Sequence, residues 1–221
     1  MLWPAWYPYI LPEVSGAPEV LVDHVLRQTA ISFFEETEVW TVALTAIDLV
    51  ANTGTYSLVA PAQTITNPTL TEVPDVAMVK WAWVDGQQIF PTSQEELGAL
   101  PYQWNDKTAA QVSNYTQLTQ DTITLFPIPD FASTGGLVIT CAIQPSLTAT
   151  GLPDWLGSKY IQALADGTKA TMMGMVGKPW SNPEGEKKYA AAYANAQTKG
   201  TVEGHRSFTR TTQTVRFPRY G

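Results

Sequence analysis

Four arginines near the carboxyl end, Arg206, Arg210, Arg216 and Arg219, are the side chains whose type and spacing best suit them to chemistry. That chemistry is recognition. A guanidinium is a planar fork of N–H donors that stays charged at physiological pH, so a row of them can grip carboxylates, phosphates or backbone carbonyls. Residues 201–221 also hold five threonines and almost no aliphatic side chains. Such a stretch buries too little apolar area to offset its ordering entropy. It therefore reads as an extended arm that orders against a partner through its backbone and guanidinium groups. The competing reading is an ordinary solvated, frayed terminus.

Residues able to make or break bonds are sparse. His24 falls on a helical stretch and His205 in the terminal segment, and neither has a His or Cys neighbour at metal-ligand spacing. Gly174-x-x-Gly177-Lys178-Pro179 superficially resembles a phosphate loop, but it lacks the longer spacer, the Ser or Thr after Lys and a preceding strand. It reads as the turn that ends a helix. Asp85, Asp121 and Asp130 sit at β turns, where Asp is favoured for local hydrogen bonding. The single cysteine, Cys141, excludes a disulfide framework or a cysteine metal site within one chain and reads as a small apolar residue in a strand. No catalytic, cofactor-binding or metal site is expected.

The elements that must position the arginines follow from length and pattern. A chain of 221 residues, 44% hydrophobic, is long enough for a substantial core. The net charge of −7 is unevenly spread, since Arg27 is the only basic residue among the first 79, against nine acidic ones. Acidity overall argues against general duplex binding, which needs cations to neutralise phosphates. Met1–Ile10 is aromatic but has no basic leader and is broken by Pro4 and Pro8, so it does not read as a secretory signal. Nor is there an uninterrupted apolar run of about eighteen residues. The expectation is a soluble protein of cytoplasmic synthesis with no membrane partner, whose Trp3, Trp6, Tyr7 and Tyr9 pack on its own core.

A helix is predicted from Pro18 to about Glu36, with Val22, Val25, Leu26, Thr29 and Phe33 as its apolar stripe. From Trp40 to Ala149 the period becomes that of strands, with Val76, Met78 and Val84 sharing one face. Asp85-Gly86 is a hairpin turn, and a Pro-Asp and Gly-Gly turn separates the Ile123/Leu125 and Leu137/Ile139 strands. Thr92-x-x-Glu95 matches a capping box. A second helix starts near Asp154 and carries one stripe from Trp155 and Tyr160 to Met172, Met173 and Val176. A third opens at Asn182-Pro183 with Tyr189, Ala192, Tyr193 and Ala196 in line. Between them Trp180 closes a Gly/Pro turn. Trp155, Tyr160, Trp180, Tyr189, Ala192, Tyr193 and Ala196 are thus expected at helix packing or a subunit interface, with the two alanines permitting close approach.

The fold expected is α+β: a helical bundle made from both ends of the chain, an inserted antiparallel β domain and an extended arm. Its divisions are residues 1–39, 40–149, 150–200 and 201–221.

The runs Leu125-Phe126-Pro127-Ile128-Pro129-Asp130, Gly151-Leu152-Pro153-Asp154-Trp155-Leu156 and Gly177-Lys178-Pro179-Trp180-Ser181-Asn182-Pro183, followed by the arginine-rich end, resemble the head-to-tail adaptor proteins of tailed, short-tailed bacteriophages. The resemblance covers nearly the whole chain in its order of elements. It implies a structural virion protein at the head–tail junction, with the portal protein, the tail nozzle or tail tube proteins and further copies of itself as partners. It further implies a ring of about twelve copies, with viral DNA passing through without sequence-specific contact and the arginine arm holding the portal. A different class stays open on composition: eight tryptophans and nine tyrosines on a β-rich scaffold also suit a carbohydrate-binding module or a tail-associated receptor-binding protein.

Overall fold

In the computed structural model, residues 1–65, 70–100 and 104–206 are described. Arg210, Arg216 and Arg219, and with them most of the expected arm, lie outside these residues. Trp3–Trp6 form a single tight turn leading into α1 (Tyr7–Ile10), and α2 (Glu19–Thr37) follows, close to its predicted span. The apolar stripe of α2 is buried as its spacing requires, and Glu38, in the left-handed region at φ 50°, ends it. Trp3 and Trp6 are buried, but Tyr9, which was expected to pack inward, is 45% exposed.

Twelve strands occupy the middle among the described residues: β1 (Thr41–Ala43), β2 (Ile47–Leu49), β3 (Thr55–Ser57), β4 (Gln63–Ile65), β5 (Leu70–Glu72), β6 (Asp75–Val84), β7 (Gln87–Pro91), β8 (Thr108–Ala109), β9 (Asn114–Thr119), β10 (Thr122–Phe126), β11 (Ile128–Pro129) and β12 (Ser133–Gln144). The main sheet has the order β1-β12-β6-β7-β9-β10-β3, with β2 also on β12. It is antiparallel except where β7 runs parallel to β9. The Asp85-Gly86 turn closes the β6–β7 hairpin with φ values of 47° and 80°, as a tight turn of this hand requires.

Three local expectations fail in the sheet, each for a geometric reason. Met78 points outward, because β6 shifts register twice against β12 and the buried positions become Val76, Val79, Ala82 and Val84. A β-bulge moves every later side chain to the other face. Gly135 and Gly136 are not a turn between paired strands but lie within β12, while β10 pairs with β9 and β3. The capping box of α3 (Gln94–Gly98) is one residue further on: Ser93 Oγ accepts the Glu96 N–H and the Glu96 carboxylate accepts the Ser93 N–H, both at 3.1 Å. Thr92 stays with the sheet, its N–H donating to the Tyr115 carbonyl.

The second predicted helix is two. α4 (Asp154–Lys159) and α5 (Ile161–Met173) meet at Tyr160, whose φ −106° and ψ 17° break the helical path. The stripe therefore changes phase, so Leu156 and Gly157 face inward and Trp155 is 50% exposed. Val176, expected on the same stripe, lies in the turn beyond and is 92% exposed. α6 (Pro183–Arg206) starts where Asn182-Pro183 predicted but runs past residue 200, so the first part of the expected arm is helical.

The result is a mixed α+β fold. Buried side chains from α2, α5, α6 and the sheet form one continuous cluster, with Phe34 edge-on to Trp40 at 5.5 Å between helix and sheet. Among the described residues no helix is long and apolar enough to cross a membrane.

Candidate functional site

α6 presents one face to the protein and one to solvent, and its inner face is built on glycines. Gly185, Gly200 and Gly204 are buried along it. On α5, a Cβ at Gly167 would lie 2.6 Å from Thr29 Cγ2 and 2.7 Å from the Tyr193 ring, so α2, α5 and α6 meet there only because no side chain intervenes. Of the alanines expected to permit close approach, Ala196 is half-buried against the core and Ala192 is exposed. The sequence signal for these contacts within the chain was available in glycines inside a helical pattern, which cost helix stability and are kept where packing demands them.

Tyr160, Trp180 and Tyr189 are buried, as their places in the pattern required. The Tyr160 ring lies 5.1 Å from Phe33, and its hydroxyl donates to Glu203 Oε2 at 2.7 Å. Burial and then the neighbouring carboxylate push that hydroxyl far above its ordinary ionisation range. Tyr193 is half-buried and donates to the Thr29 carbonyl at 3.2 Å; burial pushes it up to about 12. Tyr189 carries Lys169 over its ring at 4.0 Å.

Lys169 and Asp166 form a buried ion pair that sequence reading did not single out. Their atoms are 2.8 Å apart with side chains 5% and 11% exposed, and Asp166 also accepts from Gln162 Nε2 at 2.8 Å. One turn apart on α5, they pattern like surface charges, and Tyr189 of α6 covers the Lys169 ammonium.

The last described turn of α6 precedes the arginine segment in sequence. Glu203 pairs with Lys159 at 2.7 Å and accepts from Tyr160, so the α4–α5 joint holds this turn from one side. Burial works against the Glu203 charge, but hydrogen bonds from Lys159 and Tyr160 outweigh it and hold the carboxyl below its ordinary value. Arg206 is the last described residue of α6 and is exposed. His205 beside it and His24 on α2 are exposed as well.

Between α2, α5 and α6 a groove of about 650 Å³ opens to solvent, lined by Leu21, Val25, Ala170, Met175, Ala190 and Tyr193 with His24 and Glu186 at its edge. Cys141 is fully buried on β12, and desolvation pushes its thiol up to about 12, so it lacks the thiolate character of a nucleophile. This arrangement suits docking: a helical face with an open groove and a last described turn of α6 held by Lys159 and Tyr160.

Compared with known proteins, residues 12–216 match the family model described as the SU10 adaptor protein. No curated protein matches the chain.

Proposed function

The chain belongs to the SU10 adaptor protein family, a family of phage structural adaptor proteins, and on that premise we propose that it forms a ring beneath the portal that joins capsid to tail. The ring has about twelve copies and continues the channel through which viral DNA passes. Its partners are the portal protein on one side, nozzle or tube proteins on the other, and further copies of itself. Helices from both ends of the chain act as a bundle that meets its neighbours side by side, with Ala192 and half-exposed Trp155 in the contact. Residues 40–149 act as an inserted β unit directed toward the tail.

Attachment is assigned to Arg206, Arg210, Arg216 and Arg219, which pair with carboxylates or carbonyls of the portal. Each desolvated charge-assisted bond contributes roughly 1.5–3 kcal/mol, and repetition around a ring multiplies the attachment. DNA passes without sequence-specific binding, and the net charge of −7 disfavours sticking. The family match carries this reading, and it extends through Arg216.

Electron microscopy of the protein with the portal from the same source, beside the protein alone, tests it. Rings seated on the portal are expected. A protein that stays unattached under all conditions overturns the proposal and directs attention to glycan binding. Deleting 207–221 removes Arg210, Arg216 and Arg219 and is expected to abolish seating; normal seating of the truncated protein refutes the arm.

A further inference from the structure

α2 and α6 lie side by side and carry opposite charge on opposite flanks. They meet along one line: the Tyr193 hydroxyl donates to the Thr29 carbonyl at 3.2 Å, and a Cβ at Gly200 would lie 2.7 Å from Thr37 Cγ2 and 3.3 Å from the Phe33 ring. Thr29 to Thr37 and Tyr193 to Gly200 advance together, so the two helices run in the same direction. Residues three and four apart share one side of a helix. On α2 the side turned away from this line bears Val20, His24, Gln28, Ile31 and Glu35. On α6 it bears Lys187, Ala191, Asn195, Thr198 and Val202. All but Ile31 are exposed.

The α2 flank is acidic. Glu36 is exposed beside Glu35 and Glu19 opens the helix, whereas Arg27, the one lysine or arginine of α2, is half-buried and donates to the Leu147 carbonyl at 3.0 Å. The α6 flank is basic. Lys188 and Lys199 border its stripe, and no residue from Lys187 to Val202 is acidic. Among the described residues no ion pair within the chain holds Glu19, Glu35, Glu36, Lys187 or Lys199. Val20, 82% exposed, and Val202, 44% exposed, give each flank an apolar contact as well.

We propose that copies of this chain join head to tail through these flanks, the acidic side of α2 in one copy lying along the basic side of α6 in the next. An interface between two different faces leaves each end of a pair with one face free, so it propagates until rotation closes it into a ring. The lengths agree. Glu19 and Glu35 stand sixteen residues apart on α2, about 24 Å, and Lys187 and Lys199 twelve apart on α6, about 18 Å, a difference that lysine stems span. The directions agree too, because neighbours in a ring of about twelve turn by only about 30° and α6 of one copy then runs the same way as α2 of the next. Flanks of like charge repel, which disfavours a twofold dimer through either one. The ring rests on the adaptor reading above; the contact between flanks is tested apart from it.

Charge reversal in the full chain reads that contact. Lys187→Glu/Lys199→Glu makes both flanks acidic and Glu35→Lys/Glu36→Lys makes both basic; all four positions are exposed, so each variant is expected to melt as wild type does. Association is followed by sedimentation of the free protein and by ring occupancy on the portal. Each variant alone is expected to associate about tenfold more weakly than wild type, since attraction at every contact becomes repulsion. An equal mixture of the two, in which each acidic flank again finds a basic one, is expected to recover to within about threefold of wild type. Carbodiimide coupling of isotopically light and heavy wild-type copies is expected to join Lys187 or Lys199 of one copy to Glu19, Glu35 or Glu36 of another. Unchanged association of either variant, a mixture no stronger than its components, or wild-type copies that associate neither free nor on the portal overturns the proposal. Rings on the portal without those links overturn the flank contact and leave the adaptor reading in place, whereas linked oligomers that never seat on the portal do the reverse.

Discussion

Replacing Lys169 by Met removes one half of a buried ion pair and leaves Asp166 in its place. The carboxylate is 11% exposed and keeps only the Gln162 hydrogen bond at 2.8 Å, while Tyr189 loses the ammonium 4.0 Å above its ring. Breaking a buried pair from one side costs about 3–5 kcal/mol, and a desolvated cation–π contact adds about 1. The retained Gln162 bond offsets part of this, so a loss of about 4 kcal/mol is expected, a large share of the roughly 5–15 kcal/mol typical of a folded domain. Urea unfolding followed by tryptophan fluorescence and circular dichroism measures it. The double variant Lys169→Met/Asp166→Asn, with no stranded charge, is expected to lose much less than the single one. A single-variant loss below about 1 kcal/mol, or a double variant as damaged as the sum of its parts, refutes the argument that the pair is interior and coupled.

Two further outcomes follow from the same packing. Gly167→Ala drives a methyl into Thr29 and the Tyr193 ring and is expected to cost about 1–3 kcal/mol, seen as a lower melting temperature; an unchanged value means that the three helices have room to part. Glu203 is held below its ordinary value of 4.5, so its contribution is fully present above that pH and is lost as pH falls through the lower folded value. The stability difference between wild type and Glu203→Gln is expected to close over that acid range, and a difference that stays constant down to acid unfolding contradicts the Lys159 and Tyr160 bracket.

Much of the chain was legible where local chemistry decides structure. Pro18 and the α2 stripe, the Asp85-Gly86 turn and the Asn182-Pro183 start of α6 each lie within a few residues of the feature that signals them. The errors share a cause, which is geometry set from outside the segment. Tyr160 has an unremarkable place in a helical pattern, and it breaks the helix where its ring meets Phe33 and its hydroxyl meets Glu203. Met78 alternates correctly with Val76 until a bulge against β12 reverses it. The site was less legible than the fold. Arg206, Tyr160, Trp180 and Tyr189 were singled out by type and position, but Gly167, against Thr29 and Tyr193, and Lys169, over the Tyr189 ring, owe their burial to partners that lie far away in sequence.

The sheet order has a consequence for how this chain reaches its fold. Thr41 pairs with Ala142, Leu2 bridges to Gly151, and Thr29 touches both Gly167 and Tyr193. These elements of the first quarter each wait for one beyond residue 140. A nascent chain emerging from the ribosome holds β1 without its partner until β12 has been made, and α2 without its partners until α5 and α6 have been made. Non-local pairing of this kind slows folding to roughly milliseconds or longer. Through that interval the apolar faces of α2 and β1 stay uncovered, and concentrated refolding has to outrun aggregation on those faces.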